Sequence, residues 1–490
     1  MDAKRIIDKL YWPLFILLMS ILALLCFYKL GDYVILPWDE LRHGLNAFEM
    51  LKKNNYLVNY AYGEVDYWNV KPPLHFYFVM LGYKIFGYNP LGLRFFSALA
   101  YLILTLIIAL FLKKKTNKIA SLLSIVILSV SVSFFYHHFV RHGDADSIFI
   151  LFVGIALISL ILSSENSNWL HLTGLMFALG FLTKATNIFI LFPIIFFYYL
   201  FTKMYKHVKW WQYITSSICA LLPILIWGIA RYKFDGFMFI WEMIRHDFFK
   251  RTTQPLDNQA IRPFYYYIVE LIKNPIQFTC LILFIALLIY KLIKKEKILN
   301  TDKLCLISIL SIFILFSCAT TKHEWYTYTS CIPLTIAGSI STVQIYNLLF
   351  KKKILQSIFC IGLGVVAFYC LVKTVIVIDN YQPHVINIQF ITQKDNIKKE
   401  KTITSFFEYD DYFSNIENSF WPGNDILCLL EWQLNTVVDI KFGGYYTFIE
   451  NKGSYLLIKK SNFETKNIPD YIQVVTSSND YVFCYNALTE

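Results

Sequence analysis

Apolar runs of about 16–24 residues recur from Tyr11 to Val377, and no other feature narrows the fold of this chain as far. A helix crossing roughly 30 Å of hydrocarbon needs close to 20 apolar residues, whereas a buried core helix of a soluble protein is usually content with fewer. Composition agrees: 57% of the 490 residues are hydrophobic and 16% charged, with mean hydropathy +0.49. Length alone would suggest two to four soluble domains, and the apolar runs override that expectation. The 34 Tyr and 43 Phe suit interfacial belts and a cavity wall that accepts a lipid.

Eleven spans are expected, near 11–30, 94–112, 119–136, 147–163, 169–182, 186–202, 212–231, 276–291, 304–318, 329–348 and 354–377. The Met1–Lys9 head is basic, but the run behind it is long enough to span and is read as an uncleaved first helix. The net charge of +11 would suggest nucleic acid in a soluble protein. Here it gathers in short loops (Met1–Lys9, Lys113–Lys118, Lys203–Lys209, Lys291–Lys297, Lys351–Lys353), where it sets topology. Pro73–Tyr88 is apolar but short and carries His75 and Lys84. Laying it in the interface puts every basic loop on one side, so that arrangement is preferred.

All the chemically loaded loops then fall on the other side: Leu36–Leu74, Arg141–Asp146, Thr183–Asn187, Arg231–Arg262 and Thr320–Tyr328. The expected organisation is a membrane domain over 1–378, with a first outer loop and juxtamembrane helices at 36–90. A small α/β domain outside the membrane is expected at 379–490. In that last region apolar content falls, turn signals appear (Pro422-Gly423-Asn424, Gly443-Gly444) and Tyr455–Ile458 and Ile472–Val475 alternate like strands. Of the 10 Cys, Cys428 and Cys484 lie there and could pair in an oxidising compartment.

The first outer loop opens on Pro37-Trp38-Asp39-Glu40. Leu41, Leu45, Phe48 and Leu51 then fall on one helical face, which Arg42, Asn46, Glu49 and Lys53 avoid. Asp39 and Glu40 either cap that helix or serve as carboxylates at a membrane surface, acting as general base on a hydroxyl or holding a metal. For Asp39 the functional reading outweighs the cap; for Glu40 the two are even. Arg141-His142-Gly143-Asp144-Ala145-Asp146 repeats the theme: one carboxylate caps the next helix and Arg141 snorkels, but two carboxylates beside Arg and His exceed that need. Lys71, ahead of Pro72-Pro73, is held at the interface by two donor-free residues, where lipid headgroup electrostatics is the bland alternative. Lys184 interrupts an apolar region, where an ammonium needs an anionic partner or ligand.

Arg245–Arg251 and Thr320–Tyr326 add cations and aromatics suited to a lipid phosphate and a sugar ring. His137, His138, His142 and His323 match no closed zinc spacing. No Walker, GxGxxG, GxSxG or HExxH motif occurs in a fitting context, so nothing binds nucleotide recognisably and a lipid-carried donor is favoured.

Several segments resemble, in order, the polyprenyl-phosphate-dependent GT-C glycosyltransferases, in the aminoarabinose transferase-like and protein O-mannosyltransferase-like branch. They are Trp38-Asp39-Glu40, Lys71-Pro72-Pro73-Leu74, Gly87-Tyr88-Asn89, Leu93-Arg94, Arg141-His142-Gly143-Asp144, Gly180-Phe181-Leu182-Thr183-Lys184, Arg251 ahead of Pro263-Phe264-Tyr265-Tyr266-Tyr267, and Lys322-His323-Glu324-Trp325-Tyr326. The likeness covers about 1–350 and rests on order and spacing, each motif being weak alone. It implies a multi-pass enzyme of about 11–13 spans in the cytoplasmic membrane. Such an enzyme would move a hexose or pentose from a polyprenyl (undecaprenyl) phosphate to a lipid, glycan or protein acceptor outside, with inversion, as in lipid A or protein glycosylation.

By that match Asp39 is the catalytic aspartate, with Asp144, Asp146 and Glu40 as further acidic candidates. Lys71, Arg251, Lys184 and Arg141 are phosphate-binding candidates, and Trp38, His323, Glu324 and Tyr326 substrate-binding ones. A divalent metal stays open. The chain departs from close aminoarabinose transferases before Lys71, where Asn69-Val70 replaces a glutamate. A transporter or flippase of a lipid-linked solute is the rival reading. It is disfavoured because no repeat is visible and the charges gather on one face. A structural assembly subunit would leave the acidic positions without a task.

Overall fold

The computed structural model describes residues 3–32, 35, 39–135, 138–254, 261–349, 352–380, 402–408, 428, 431–432, 434–477 and 481–488. Each of the eleven segments expected to span is helical. They are α1 (Ala3–Phe27), α4 (Pro90–Lys115), α5 (Lys118–Ser129), α6 (Asp146–Leu162), α7 (Trp169–Lys184), α8 (Leu191–Thr202), α9 (Trp210–Asp235), α13 (Pro275–Ile293), α14 (Asn300–Cys318), α15 (Cys331–Leu348) and α16 (Lys353–Asn380). The first outer loop adds α2 (Asp39–Lys52) and α3 (Leu74–Phe86). Three short helices, α10 (Met238–Glu242), α11 (Arg251–Thr253) and α12 (Tyr266–Ile272), lie between α9 and α13. Seven helical stretches among the described residues are long and apolar enough to cross a membrane. At 13 residues α3 falls short of that length, as do α5 and α6, with 12 and 17, from among the expected spans.

The chain forms two compact units. The first comprises Met1–Leu30, Val70–His75 and Phe95–Tyr381; the second comprises Gly31–Asn69, Phe76–Arg94 and Gln382–Glu490.

In the first unit, small residues let helices approach closely. A Cβ on Gly174 of α7 would stand 2.2 Å from the Ser216 carbonyl of α9, and one on Gly338 of α15 would stand 2.4 Å from Cys280 Sγ of α13. The 169–202 region is not one helix. It breaks after Lys184, where Ala185 takes φ +46 and a 3-10 turn (Ala185–Ile190) leads into α8. A left-handed alanine costs energy, so the break is imposed by its surroundings.

The second unit carries a five-stranded sheet in the order β4-β3-β5-β7-β6, built from β3 (Thr402–Glu408), β4 (Val437–Phe442), β5 (Tyr455–Lys459), β6 (Ile472–Ser477) and β7 (Tyr481–Asn486). A short antiparallel pair, β1 (Tyr60–Ala61) and β2 (Glu64–Val65), precedes it in the chain. β3 runs parallel to β4 and β5, while β7 is antiparallel to β5 and β6. Side chains on β5 alternate between two cores, as a period of two demands. Tyr455 and Leu457 join Leu45 of α2 and Ala61 of β1, whereas Leu456 and Ile458 join Tyr445 and Phe448 of α17 (Gly444–Glu450). The first loop thus supplies one face of the sheet's cover.

Three details depart from simple sequence expectations. The polar face of α2 is buried along with its apolar one, because Arg42, Asn46 and Glu49 find partners inside the unit. Cys428 and Cys484 are not joined in a disulfide: both are buried, and they sit in different cores. The Pro422-Gly423-Asn424 turn signal lies outside the described residues.

Candidate functional site

The 131–146 connection of the first unit carries most of the chemistry, and aromatic edges hold it in place. Phe134 and Phe139 pack edge-on against each other and against Tyr101 of α4, and both meet Tyr328. The Tyr328 hydroxyl donates to the Ser133 carbonyl at 3.2 Å. Between these anchors His138 adopts φ +49, a conformation that costs energy for a residue with a Cβ.

The result is a defined contact: His138 Nδ1 lies 3.0 Å from Asp144 Oδ2, with Asp144 only 2% exposed. The imidazole also stacks on the Trp325 indole at 3.7 Å between ring centres, and His323 stacks on the same indole at 4.4 Å. A carboxylate, an imidazole, an indole and a second imidazole therefore follow one another. A stacked ring cannot rotate freely, so the side of His138 that faces Asp144 is set.

Two further pairs surround this line. The Lys184 ammonium lies 2.5 Å from Asp146 Oδ1, and both side chains are largely buried. The anionic partner that a lysine needs in an apolar region is thus the carboxylate opening α6. His75 is fully buried and its Nε2 sits 2.9 Å from the Gly143 carbonyl. Burial lowers its pKa to about 4, with Lys71 and Lys184 pushing the same way, so the ring is neutral and donates to that carbonyl. Lys71 is half-buried four residues before His75.

The Thr320–Tyr326 loop is tied to the α11 turn through side-chain hydroxyls. Thr320 Oγ1 donates to the Thr252 carbonyl at 2.8 Å and Thr321 Oγ1 to the Gln254 carbonyl at 2.9 Å. Arg262 donates to the Lys322 carbonyl at 2.9 Å and lies over the Tyr266 ring. Arg251 opens α11, and its side chain lies outside the described residues. Burial holds the Glu324 carboxyl above the usual range, and Glu270 adds to that shift.

The first unit thus gathers Asp144, Asp146, Lys184, His323, Glu324 and Tyr326 around His138 and Trp325, with Lys71 entering beside His75. Arg141 has a different task. Its guanidinium donates to the carbonyls of Leu25, Cys26 and Tyr28 at 2.9, 3.2 and 2.7 Å, closing the C-terminal end of α1. These are carbonyls that α1 leaves open, so Arg141 ties the 131–146 connection to the end of that helix.

In the second unit Asp39 is half-buried at the first turn of α2. Glu40 is 1% exposed and both its oxygens meet the Arg94 guanidinium, at 2.6 and 2.9 Å. Trp38 lies outside the described residues. Sequence reasoning weighed His138 only as a zinc ligand and set it aside; its value depends on a backbone turn and on an indole 187 positions away. For a metal, His138 Nδ1 and Asp144 Oδ2 offer a nitrogen and a carboxylate oxygen, donors that suit a borderline divalent ion.

Comparison with known proteins gives this geometry a context. A family profile described as dolichyl-phosphate-mannose-protein mannosyltransferase matches residues 70–227. An uncharacterized protein of Aquifex aeolicus (strain VF5) is 28% identical over 345 residues, covering 69% of this chain and 65% of the relative. The undecaprenyl phosphate-alpha-4-amino-4-deoxy-L-arabinose arabinosyl transferase 1 of Pseudomonas fluorescens (strain Pf0-1) is 24% identical over 276 residues, covering 54% of this chain and 47% of that protein. The matched part thus spans about half to two thirds of these curated relatives. Among solved structures, ArnT from Cupriavidus metallidurans bound to undecaprenyl phosphate superposes with a TM-score of 0.65 at 13% identity, covering 96% of this chain and 97% of that one. The oligosaccharyltransferase AglB of Archaeoglobus fulgidus, in complex with an inhibitory peptide and a dolichol-phosphate, gives a TM-score of 0.51 at 11% identity, covering 92% and 70%. At such identities these two likenesses speak for the fold.

Proposed function

We propose that the chain is a glycosyltransferase of the GT-C kind, moving a sugar from a polyprenyl-phosphate carrier to an acceptor on the outer face of the cytoplasmic membrane; the profile match over 70–227, the arabinosyl transferase relative and the shared fold support this reading. The sugar is a hexose or pentose, and the acceptor is a lipid, glycan or protein. The observation that carries the reading is the convergence, within one unit, of acidic, basic and aromatic side chains around Asp144, His138 and Trp325. A transporter needs no such set at one end of its helices.

The reaction is an in-line displacement at the anomeric carbon, giving inversion. The acceptor oxygen forms a bond to that carbon while its proton passes to a carboxylate. The bond from the carbon to the phosphate oxygen breaks, and its electron pair leaves with the polyprenyl phosphate. Asp39 takes the base role from its place in the motif order. Asp144, fixed by His138, is the second acidic group and orients the acceptor. Lys71 and Arg251 stabilise the departing phosphate as its charge grows, with Lys184 adding positive field from its pair with Asp146. His323, Glu324 and Tyr326 line the sugar's approach. A divalent ion, where bound, would take His138 and Asp144 as ligands and supply charge stabilisation to the phosphate.

The deciding experiment incubates the purified chain with a panel of polyprenyl-phosphate sugars and follows, by mass spectrometry, which lipid is consumed. One donor is expected to disappear with the native chain and to persist with Asp39→Asn, while that variant still inserts and unfolds normally. Near-normal transfer by Asp39→Asn removes the assignment.

A further inference from the structure

The α7–α9 region holds a second cavity, of about 740 Å³, at the end of these helices away from Lys184. Its walls are apolar and aromatic: Phe177 of α7, Phe192, Phe196 and Tyr199 of α8, Tyr213 of α9, and Tyr205 from the connection between α8 and α9. Thr173, one of the lining residues, stands 11 positions before Lys184 on α7, about 16 Å along a helix at 1.5 Å per residue. The cavity is therefore separate from the site described above. Its volume lies within the range of about 300–1,000 Å³ in which small molecules are bound.

The chain on either side of Tyr205 is chemically different from the walls. The connection that contributes Tyr205 also carries Lys203, Lys206, His207 and Lys209, all exposed and with no acidic residue among 203–209. Lys303 adds a fourth lysine beside the end of α8, donating to the Phe201 carbonyl at 3.1 Å. An aromatic and aliphatic slot closed by a basic rim is complementary to one kind of molecule, an amphiphile with an acidic head and a hydrocarbon tail. A phosphatidylcholine headgroup, whose phosphate is balanced by its own ammonium, would gain less from these lysines.

We propose that this cavity binds one anionic phospholipid of the membrane, its acyl chain among the α7–α9 aromatics and its phosphate against Lys203, Lys206 and Lys209. Tyr199, Tyr205 and Tyr213 stand where the apolar and charged parts of such a lipid meet, the usual place for an amphipathic ring. The proposal is independent of the sugar-transfer reading, since it uses none of its residues.

Native mass spectrometry of the purified full chain, exposed to equal amounts of phosphatidylglycerol and phosphatidylcholine with matched acyl chains, reads the proposal out. One phosphatidylglycerol per chain should be retained, at least about fivefold over phosphatidylcholine. The exposed triple variant K203Q/K206Q/K209Q should equalise the two lipids without changing the unfolding temperature. Ala220→Trp, which fills the cavity from α9, should release both. Equal retention by the native chain, or an unchanged preference in the triple lysine variant, overturns the proposal. So does displacement of the bound lipid by stoichiometric polyprenyl phosphate, which would assign the cavity to the carrier. Should Ala220→Trp fail to fold, the lysine variant alone decides.

Discussion

Two of the sets of buried charges among the described residues are built differently. In the second unit, Arg94 holds Glu40 and Arg42 holds Asp66, each through two parallel nitrogen–oxygen contacts of 2.6–2.9 Å, with every partner 1–3% exposed. Asn46 and the amides of Trp68 and Asn69 complete the shell of Asp66. In the first unit, by contrast, Asp144 meets the His138 imidazole and Asp146 the Lys184 ammonium, and these basic partners are 17% and 12% exposed. A guanidinium fork locks a carboxylate in plane, whereas an ammonium or imidazole leaves it able to engage a second group. The forked carboxylates serve the fold, and we assign the chemistry to the pair that faces an imidazole and an ammonium beside Trp325.

Replacing a charge on each side should separate the two roles. Asp144→Asn is expected to lower transfer by about 10²–10⁴-fold with the folded protein intact, as loss of an acid–base group does. Full activity in that variant would erase the distinction. Arg94→Ala should do the reverse and remove the protein before its activity can be measured. It strands the buried Glu40 charge, at about 3–5 kcal/mol, and the yield of folded chain and its unfolding temperature report the loss. Changing Glu40 and Arg94 together to apolar residues should recover much of it.

Acidity gives a third handle. Glu49 and Glu431 are wholly buried, and burial holds both carboxyls above the usual carboxylate range, each repelling the other. They keep protons in the folded unit that the unfolded chain gives up above its ordinary value of 4.5. Stability of the second unit therefore falls as pH rises from that value, and Glu49→Gln should flatten the fall. Asp66 works in the opposite direction. Burial would raise it, but the charge and hydrogen bonds of Arg42, with Asn46 and the Asn69 amide, bring it to about 2. Its contribution is present above 3.8 and is lost as pH falls towards 2. Amide hydrogen exchange in Val437–Phe442 at pH 5, 7 and 8 measures the first slope. The smallest effect belongs to Lys115→Ala. Its partner Glu165 is 62% exposed, and a change within about 0.5 kcal/mol in a thermal melt is expected.

Much of the fold is written in local pattern. Hydrophobic periodicity marks every membrane helix, the acidic start of α2 is visible at Asp39, and the alternation at Tyr455 and Ile472 marks two of the strands. What stays illegible depends on partners distant in the chain. Arg94 follows Glu40 by 54 positions, and nothing near either residue says that they pair. Nothing near Arg141 in the chain says that it reaches the carbonyls at the end of α1. Lys184 declares that it needs an anion, but only the packing of α6 against α7 identifies Asp146. His138 is silent in the sequence because its importance comes from a left-handed turn and a stacked indole.

The cover of the C-terminal sheet has a consequence in time. Leu45 and Ala61 share a core with Ile403, Val438 and Phe483, so early and late parts of the chain complete one structure. A ribosome adding about 5–20 residues per second takes roughly 17–70 s to make the approximately 340 residues between Ala61 and Ile403. For that interval the apolar residues of the first loop have no sheet to cover, while the membrane helices are being inserted one after another. Biogenesis of the second unit is therefore a closing event, with the last strands made finishing what the first loop began.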